Sequence, residues 1–159
     1  MLTPKNVIYG YCLVTKPPKP KFMISLYRSA DLNIVACFTT SQERAGVLPE
    51  KIKHGRISNE NKEVISYVFL PDVAIGKTPT GEDYHFPAQT VVRFDYCFKE
   101  DEQQNLLSSF INPVVKCTLN DKEYEELIYA MYRSDDTPLD YKPYFEKILF
   151  DLGKKQYKE

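Results

Sequence analysis

The chain has 159 residues, of which 43% are apolar and 27% charged, and a formal net charge of −1. That length suits one domain, 1–159, with a core large enough to need no disulfide or metal staples. No run approaches the roughly 18 consecutive apolar residues of a membrane-spanning helix. The first residues also lack the basic-then-apolar layout of a secretory leader, so the expectation is a cytoplasmic domain with no membrane partner.

Residues 7–16 (VIYGYCLVTK) read as a strand, because aromatic and branched side chains dominate. Residues 17–20 (PPKP) read as a loop, since proline cannot donate to a sheet ladder. A second apolar run follows at 22–27, a turn at 29–33 built on Asp31 and Asn33, and a third run at 34–39, which together predict a three-stranded meander. Residues 42–62 are polar, hold Gly46, Pro49 and Gly55, and show no period, so they read as one long loop. Strands are expected again at 64–70, 89–98 and 114–118, with a turn-rich stretch around Gly76, Pro79 and Gly81 and a short helix near 101–110. Asn120 followed by Glu123 has the form of a capping box. Behind it Tyr124, Leu127, Ile128 and Met131 fall on one helical face, predicting a helix over about 120–134. A last helix is expected at 143–153, with Pro143 in its first turn. Strands first and helices later predict an α+β or small-barrel domain, with the strands within about 7–118.

The four cysteines, Cys12, Cys37, Cys97 and Cys117, form no CxxC pair and sit in apolar runs, so they read as buried thiols and not as zinc ligands. No cofactor or metal is implied. Charge is unevenly spread: residues 1–56 carry nine Lys/Arg against three acids, and the remainder carries seven more acids than bases. Such an asymmetry points to a basic face for an anion.

The sharpest candidate lies at one end of the meander. Lys16, Lys19 and Lys21 are held between prolines, which limit the entropy lost on presenting their ammonium groups. Antiparallel pairing brings the exit of the third strand, with Thr40 and Ser41, beside Lys19 and Lys21, and Arg44 follows. Hydroxyls beside cations hold phosphate. In RNA the neighbouring 2′-OH is a built-in nucleophile, so the protein need only orient the phosphodiester, move protons and stabilise charge. Lys51, Lys53 and His54 of the long loop are further RNA-binding candidates, and His54 or His85 could carry a proton. Tyr67 and Phe69 fall at strand spacing and read as core, and Arg93 with Asp95 as an ordinary ion pair on one strand face.

Three segments in order, Gly10 to Val14 (GYCLV), Lys19 to Ser25 (KPKFMIS) and Val35 to Ser41 (VACFTTS), resemble the MazF/PemK (Kid) toxin family. That family reads G-D-[IV]-x-x-V, then R-P-x-L-V-[IL]-S, then V-x-P-[IL]-T-S. Phe86 to Asp95 is similar to its L-x-x-[DE]-S-x-[VI]-x-x-D strand, and Leu119 with the helix behind it to its late helix. The resemblance implies an SH3-like barrel with C-terminal helices, a homodimer, metal-independent cleavage of single-stranded RNA to a 2′,3′-cyclic phosphate, and an antitoxin, protein or RNA, that covers the site. By position Lys19 replaces the arginine of R-P as acid or phosphate clamp, and Thr40 and Ser41 match T-S. Tyr11 stands where the family has an acid. Lysine in place of arginine is closer to the ToxN-like branch, whose antitoxin is RNA. The other reading of these residues is a non-catalytic barrel that binds RNA or a protein partner.

Overall fold

The computed structural model describes residues 1–30, 32–38 and 46–157. Strand β1 (Asn6–Cys12) pairs antiparallel with β2 (Lys19–Arg28), and β2 with β3 (Asn33–Phe38), forming the meander. These runs are apolar almost throughout because β1 and β2 are covered on both faces. Val7 and Ile24, opposite each other, enter one core cluster, while Ile8 and Met23, the next pair along, enter another under Leu2, Leu106 and Phe110. The Pro/Lys segment is only partly loop. Strand β2 already begins at Lys19, and Pro20 lies opposite Tyr11, near the strand start where a missing N–H is tolerated.

Residues 46–62 are not one loop. They hold a 3-10 turn at Pro49–Lys51 and strand β4 (Gly55–Ser58), which pairs with β5 (Val64–Phe69); residues 42–45 lie outside the described residues. In β4 only Ile57 supplies a large buried side chain, too little for a visible period. A short hairpin follows, β6 (Gly76–Lys77) and β7 (Asp83–Tyr84). A Cβ on Gly76 would lie 2.1 Å from the carbonyl oxygen of Thr118, so only glycine allows this hairpin to dock.

The strand expected at 89–98 ends early, at Arg93, and a second strand begins only at Phe98. Strand β8 (Thr90–Arg93) joins β5, the amides of Tyr96 and Cys97 turn back onto the Arg93 carbonyl, and β9 (Phe98–Asp101) pairs with β3. Helix α1 (Gln103–Ser108) leads into β10 (Phe110–Leu119), longer than the expected 114–118. The sheet orders are β7-β6-β10-β1-β2-β3-β9 and β4-β5-β8. Each sheet has two end strands, so among the described residues no closed barrel forms: the architecture is α+β, two antiparallel sheets with three helices. The free edges of the meander are taken up by β9 and by the β6-β7 hairpin beyond β10, and not by each other.

Helix α2 (Asp121–Arg133) packs Leu127, Ile128 and Met131 into the core beside β5, and helix α3 (Lys142–Tyr157), with Pro143 in its first turn, packs on α2. Lys142 joins the two helices by donating to the carbonyls of Tyr132 and Ser134, and burial lowers its pKa. Cys12 and Cys117 are buried free thiols and Cys97 is buried; the Cys37 side chain lies outside the described residues. Among the described residues no group of three or more His, Cys, Asp or Glu is placed to hold a metal ion, and no helix is long and apolar enough to cross a membrane.

Candidate functional site

A cleft of ≈ 690 Å³ opens where β1, β2 and β10 meet the segment after β7. Its lining runs from Lys19 to Phe22 on β2, with Tyr9 on β1, Lys116 on β10, and Tyr84, His85, Pro87 and Ala88 beyond. Two irregularities of the β1–β10 ladder shape it. Val7 lies opposite Cys117 but Ile8 opposite Val115, so Lys116 is the extra residue of a bulge. A bulge re-aims a side chain, and the Lys116 ammonium sits over the Tyr9 ring, 5.5 Å from its centroid. At the second irregularity β10 crosses so close to Gly10 that a Cβ there would meet Phe110 at 3.1 Å and the Pro113 backbone at 3.2 Å.

The floor is aromatic. Tyr9 tilts against Phe22 at 4.7 Å, Phe22 meets Phe86 edge-on at 4.8 Å, and Tyr84 meets Phe86 at 5.7 Å. The walls are cationic, and no described lining residue carries a carboxylate. Burial, and then the neighbouring Cys117 and Tyr9, push the Tyr84 phenol up to about 12, so it remains a hydroxyl donor at neutral pH. Outside the lining, Asp83 pairs with Lys77 at 2.6 Å, and this bond holds its carboxyl below the usual range. Chemically the cleft offers ammonium groups for phosphate oxygens and ring faces for bases.

Of the residues singled out in the sequence, Lys19 and Lys21 lie in this cleft. Lys16 is exposed between β1 and β2 and is not part of the lining. Thr40, Ser41 and Arg44 lie outside the described residues; the last described residue of β3, Phe38, lies opposite Phe22 of the cleft. The structure does not bring the remaining three candidates here. Lys51 lines a separate depression with Gly46 and Ser58. Lys53 and His54 line another of ≈ 400 Å³, between β4, β5 and α2. Nothing in the sequence sets Tyr9, Tyr84 or Lys116 apart. The available signal for Lys116 was one lysine in the run Val114–Thr118, which reads as an ordinary outward position.

His54 is held by both ring nitrogens. Nδ1 accepts from the Leu70 amide at 3.1 Å, so Nε2 is the donor, 2.9 Å from each oxygen of Glu123. The same carboxylate accepts from the Tyr67 hydroxyl, which is fully buried. Burial first, then the Glu123 charge, raises the Tyr67 pKa far above the ordinary phenol value. The ring of His54 also packs edge-on against Tyr67 and Phe69, at 6.1 and 6.0 Å. The capping reading of Asn120 holds on one side only: its Oδ1 accepts from the Glu123 amide at 2.7 Å, while the Glu123 carboxylate turns inward to this knot. His54 therefore ties residues 46–54 to the core and has no nitrogen left for substrate. Arg93 and Asp95 do form an ion pair, at 3.0 Å, but Asp95 lies in the turn after β8 and not on its strand face as expected.

No protein-family model, curated protein or solved structure matches this chain.

Proposed function

We propose that the chain binds single-stranded RNA in the Lys19–Lys116 cleft and cleaves it without a metal, as an endoribonuclease of the MazF/PemK toxin type. The observation that carries this reading is the convergence of Lys19, Lys21 and Lys116 on a floor of Tyr9, Phe22 and Tyr84 with no described carboxylate among the lining. Cations that track a backbone beside ring faces that stack bases are what a single strand requires, whereas duplex recognition reads grooves. The remaining parts of the reading follow the resemblance. Lys19 and Arg44 grip the scissile phosphate, Thr40 and Ser41 orient it, and the 2′-oxygen displaces the 5′-oxygen to leave a 2′,3′-cyclic phosphate. The SH3-like element of that family would correspond to β10, β1, β2 and β3, with β4-β5-β8 as the second sheet. A homodimer has a candidate surface in exposed Tyr11, Leu13, Ile111 and Val114 on and beside the paired strands β1 and β10. An antitoxin would act by covering the cleft.

The test is to incubate the purified protein with unstructured RNA in chelator and map new 5′-hydroxyl ends. Lys19→Ala with Lys116→Ala should weaken RNA binding at least tenfold and flatten the log–log salt dependence by about 0.7 per lost phosphate contact. Unchanged binding in this double variant would rule out the cleft as the RNA site. A second reading, a module that binds RNA without cutting it, is favoured by Tyr11 at the position of the family's acid. Tight, salt-sensitive binding with no new ends would select it.

A further inference from the structure

The described lining of the cleft is rich in proton donors and poor in acceptors. An ammonium group has three N–H donors and no lone pair, which covers Lys19, Lys21 and Lys116. Tyr84 keeps its proton at neutral pH. Cleavage of RNA by its own 2′-hydroxyl needs a group that takes the proton from that oxygen. Imidazole is the side chain that both accepts and returns a proton near neutrality. The chain has two histidines. His54 is spoken for, with Nδ1 bonded to the Leu70 amide and Nε2 to Glu123. His85 is exposed, lines the cleft directly after Tyr84, and is close enough to Asp83 for its charge to act there.

We infer that His85 is the catalytic proton acceptor of this cleft, an assignment that rests on the ribonuclease reading above. In the step, the His85 imidazole takes the 2′-hydroxyl proton as the 2′-oxygen forms its bond to phosphorus. The bond from phosphorus to the 5′-oxygen breaks, and an ammonium of the cleft protonates that leaving oxygen. The imidazolium then returns its proton through solvent, so the lysine regains its charge. The RNA ends as a 2′,3′-cyclic phosphate and a 5′-hydroxyl. No water is consumed and no oxidant is needed. Lys116, re-aimed over Tyr9 by the bulge, is placed to hold the non-bridging oxygens as charge builds.

The experiment compares the full chain with His85→Ala by three readouts: RNA binding by anisotropy, cleavage rate against pH, and cleavage with imidazole added to the buffer. His85 is on an exposed rim, so the fold should be unaffected, which circular dichroism checks. The expected result is unchanged binding, a cleavage rate lowered by about 10²–10⁴-fold, loss of the acid limb of the pH profile, and recovery with imidazole. Cleavage at the parental rate in the variant overturns the inference and leaves the ribonuclease reading standing. So does a loss that imidazole does not restore, because it assigns His85 a structural part. If the parent chain itself leaves RNA intact while binding it, the ribonuclease reading fails and this inference with it.

Discussion

The two histidines sit in opposite surroundings. His54 belongs to a loop yet is partly buried and held on both sides: an amide feeds one nitrogen, and a carboxylate shared with Tyr67 takes the other. His85 lines an open cleft among lysines and rings, where no described residue forms a hydrogen bond to it. The difference follows from what surrounds each ring. A buried polar group left unpaired costs the full desolvation penalty, so burial selects a complete set of partners. A group at an open rim can leave its partner to solvent or to a ligand. Saturated hydrogen bonding marks His54 as structural, and open valence marks His85 as available, although the sequence presents both as lone polar rings.

The largest test of this contrast is alkaline pH. Burial raises the Cys117 thiol from 9.0 to about 12 and the Tyr84 phenol from 10.0 to about 12, and it raises Tyr67 further in direction. The folded chain therefore keeps protons that the unfolded chain releases. Stability is full below about pH 9 and falls as pH rises through the interval up to about 12. Denaturant midpoints measured at successive pH values should decline across that interval. Tyr67→Phe should blunt the decline more than Tyr84→Phe, because Tyr67 faces a carboxylate in the interior. An equal effect of the two changes would mean that the knot is no more sealed than the cleft.

Next in size is Glu123→Ala. It leaves the Tyr67 hydroxyl and His54 Nε2–H without their shared acceptor, each at about 1–3 kcal/mol, so a loss of roughly 3 kcal/mol is expected in urea unfolding. Glu123→Gln, which retains one acceptor oxygen, should lose less. His85→Ala, lacking any such partner, should stay within about 0.5 kcal/mol of the parent. A Glu123→Ala protein as stable as the parent would show that the three side chains meet without mutual dependence.

How much of this was legible in the sequence depends on the distance over which the information is written. The meander was legible because β1 and β2 are buried on both faces, which writes continuous apolar runs into the chain. Helices α2 and α3 were legible from their spacing and from Asn120 and Pro143. Strand β4 was not, since four residues with Ile57 as the one large buried side chain carry no period. The end of β8 at Arg93 was hidden because aromatic residues continue the run through Phe94, Tyr96 and Phe98, and only the turn onto the Arg93 carbonyl interrupts it, while β9 itself is charged beyond Phe98 and carries no strand signal. Lys19 and Lys21 were legible as a basic run, but Lys116 reaches the cleft through a bulge that only β1–β10 pairing reveals. Lys51, Lys53 and His54 are neighbours in sequence, yet the 3-10 turn and the start of β4 divide them between two depressions away from the cleft.

The smallest effect concerns the one place where local and long-range signals share a residue. Asn120 caps α2 through the Glu123 amide, and the same Glu123 side chain holds the knot. If the cap acts only on the helix end, Asn120→Ala should cost about 1 kcal/mol and Asn120→Gly a few tenths, the ordinary range for a lost cap. If the cap also sets the direction in which the Glu123 carboxylate leaves the helix, Asn120→Ala should cost more, and the excess should vanish in a Glu123→Ala background. A double-mutant cycle between positions 120 and 123 reads that coupling directly. We expect a coupling below about 0.5 kcal/mol, because Tyr67 and His54 grip the carboxylate from two sides and the helix is anchored independently by Leu127, Ile128 and Met131. A larger coupling would make Asn120 part of the knot, and the local capping signal would then have carried tertiary information that its form in the sequence does not reveal.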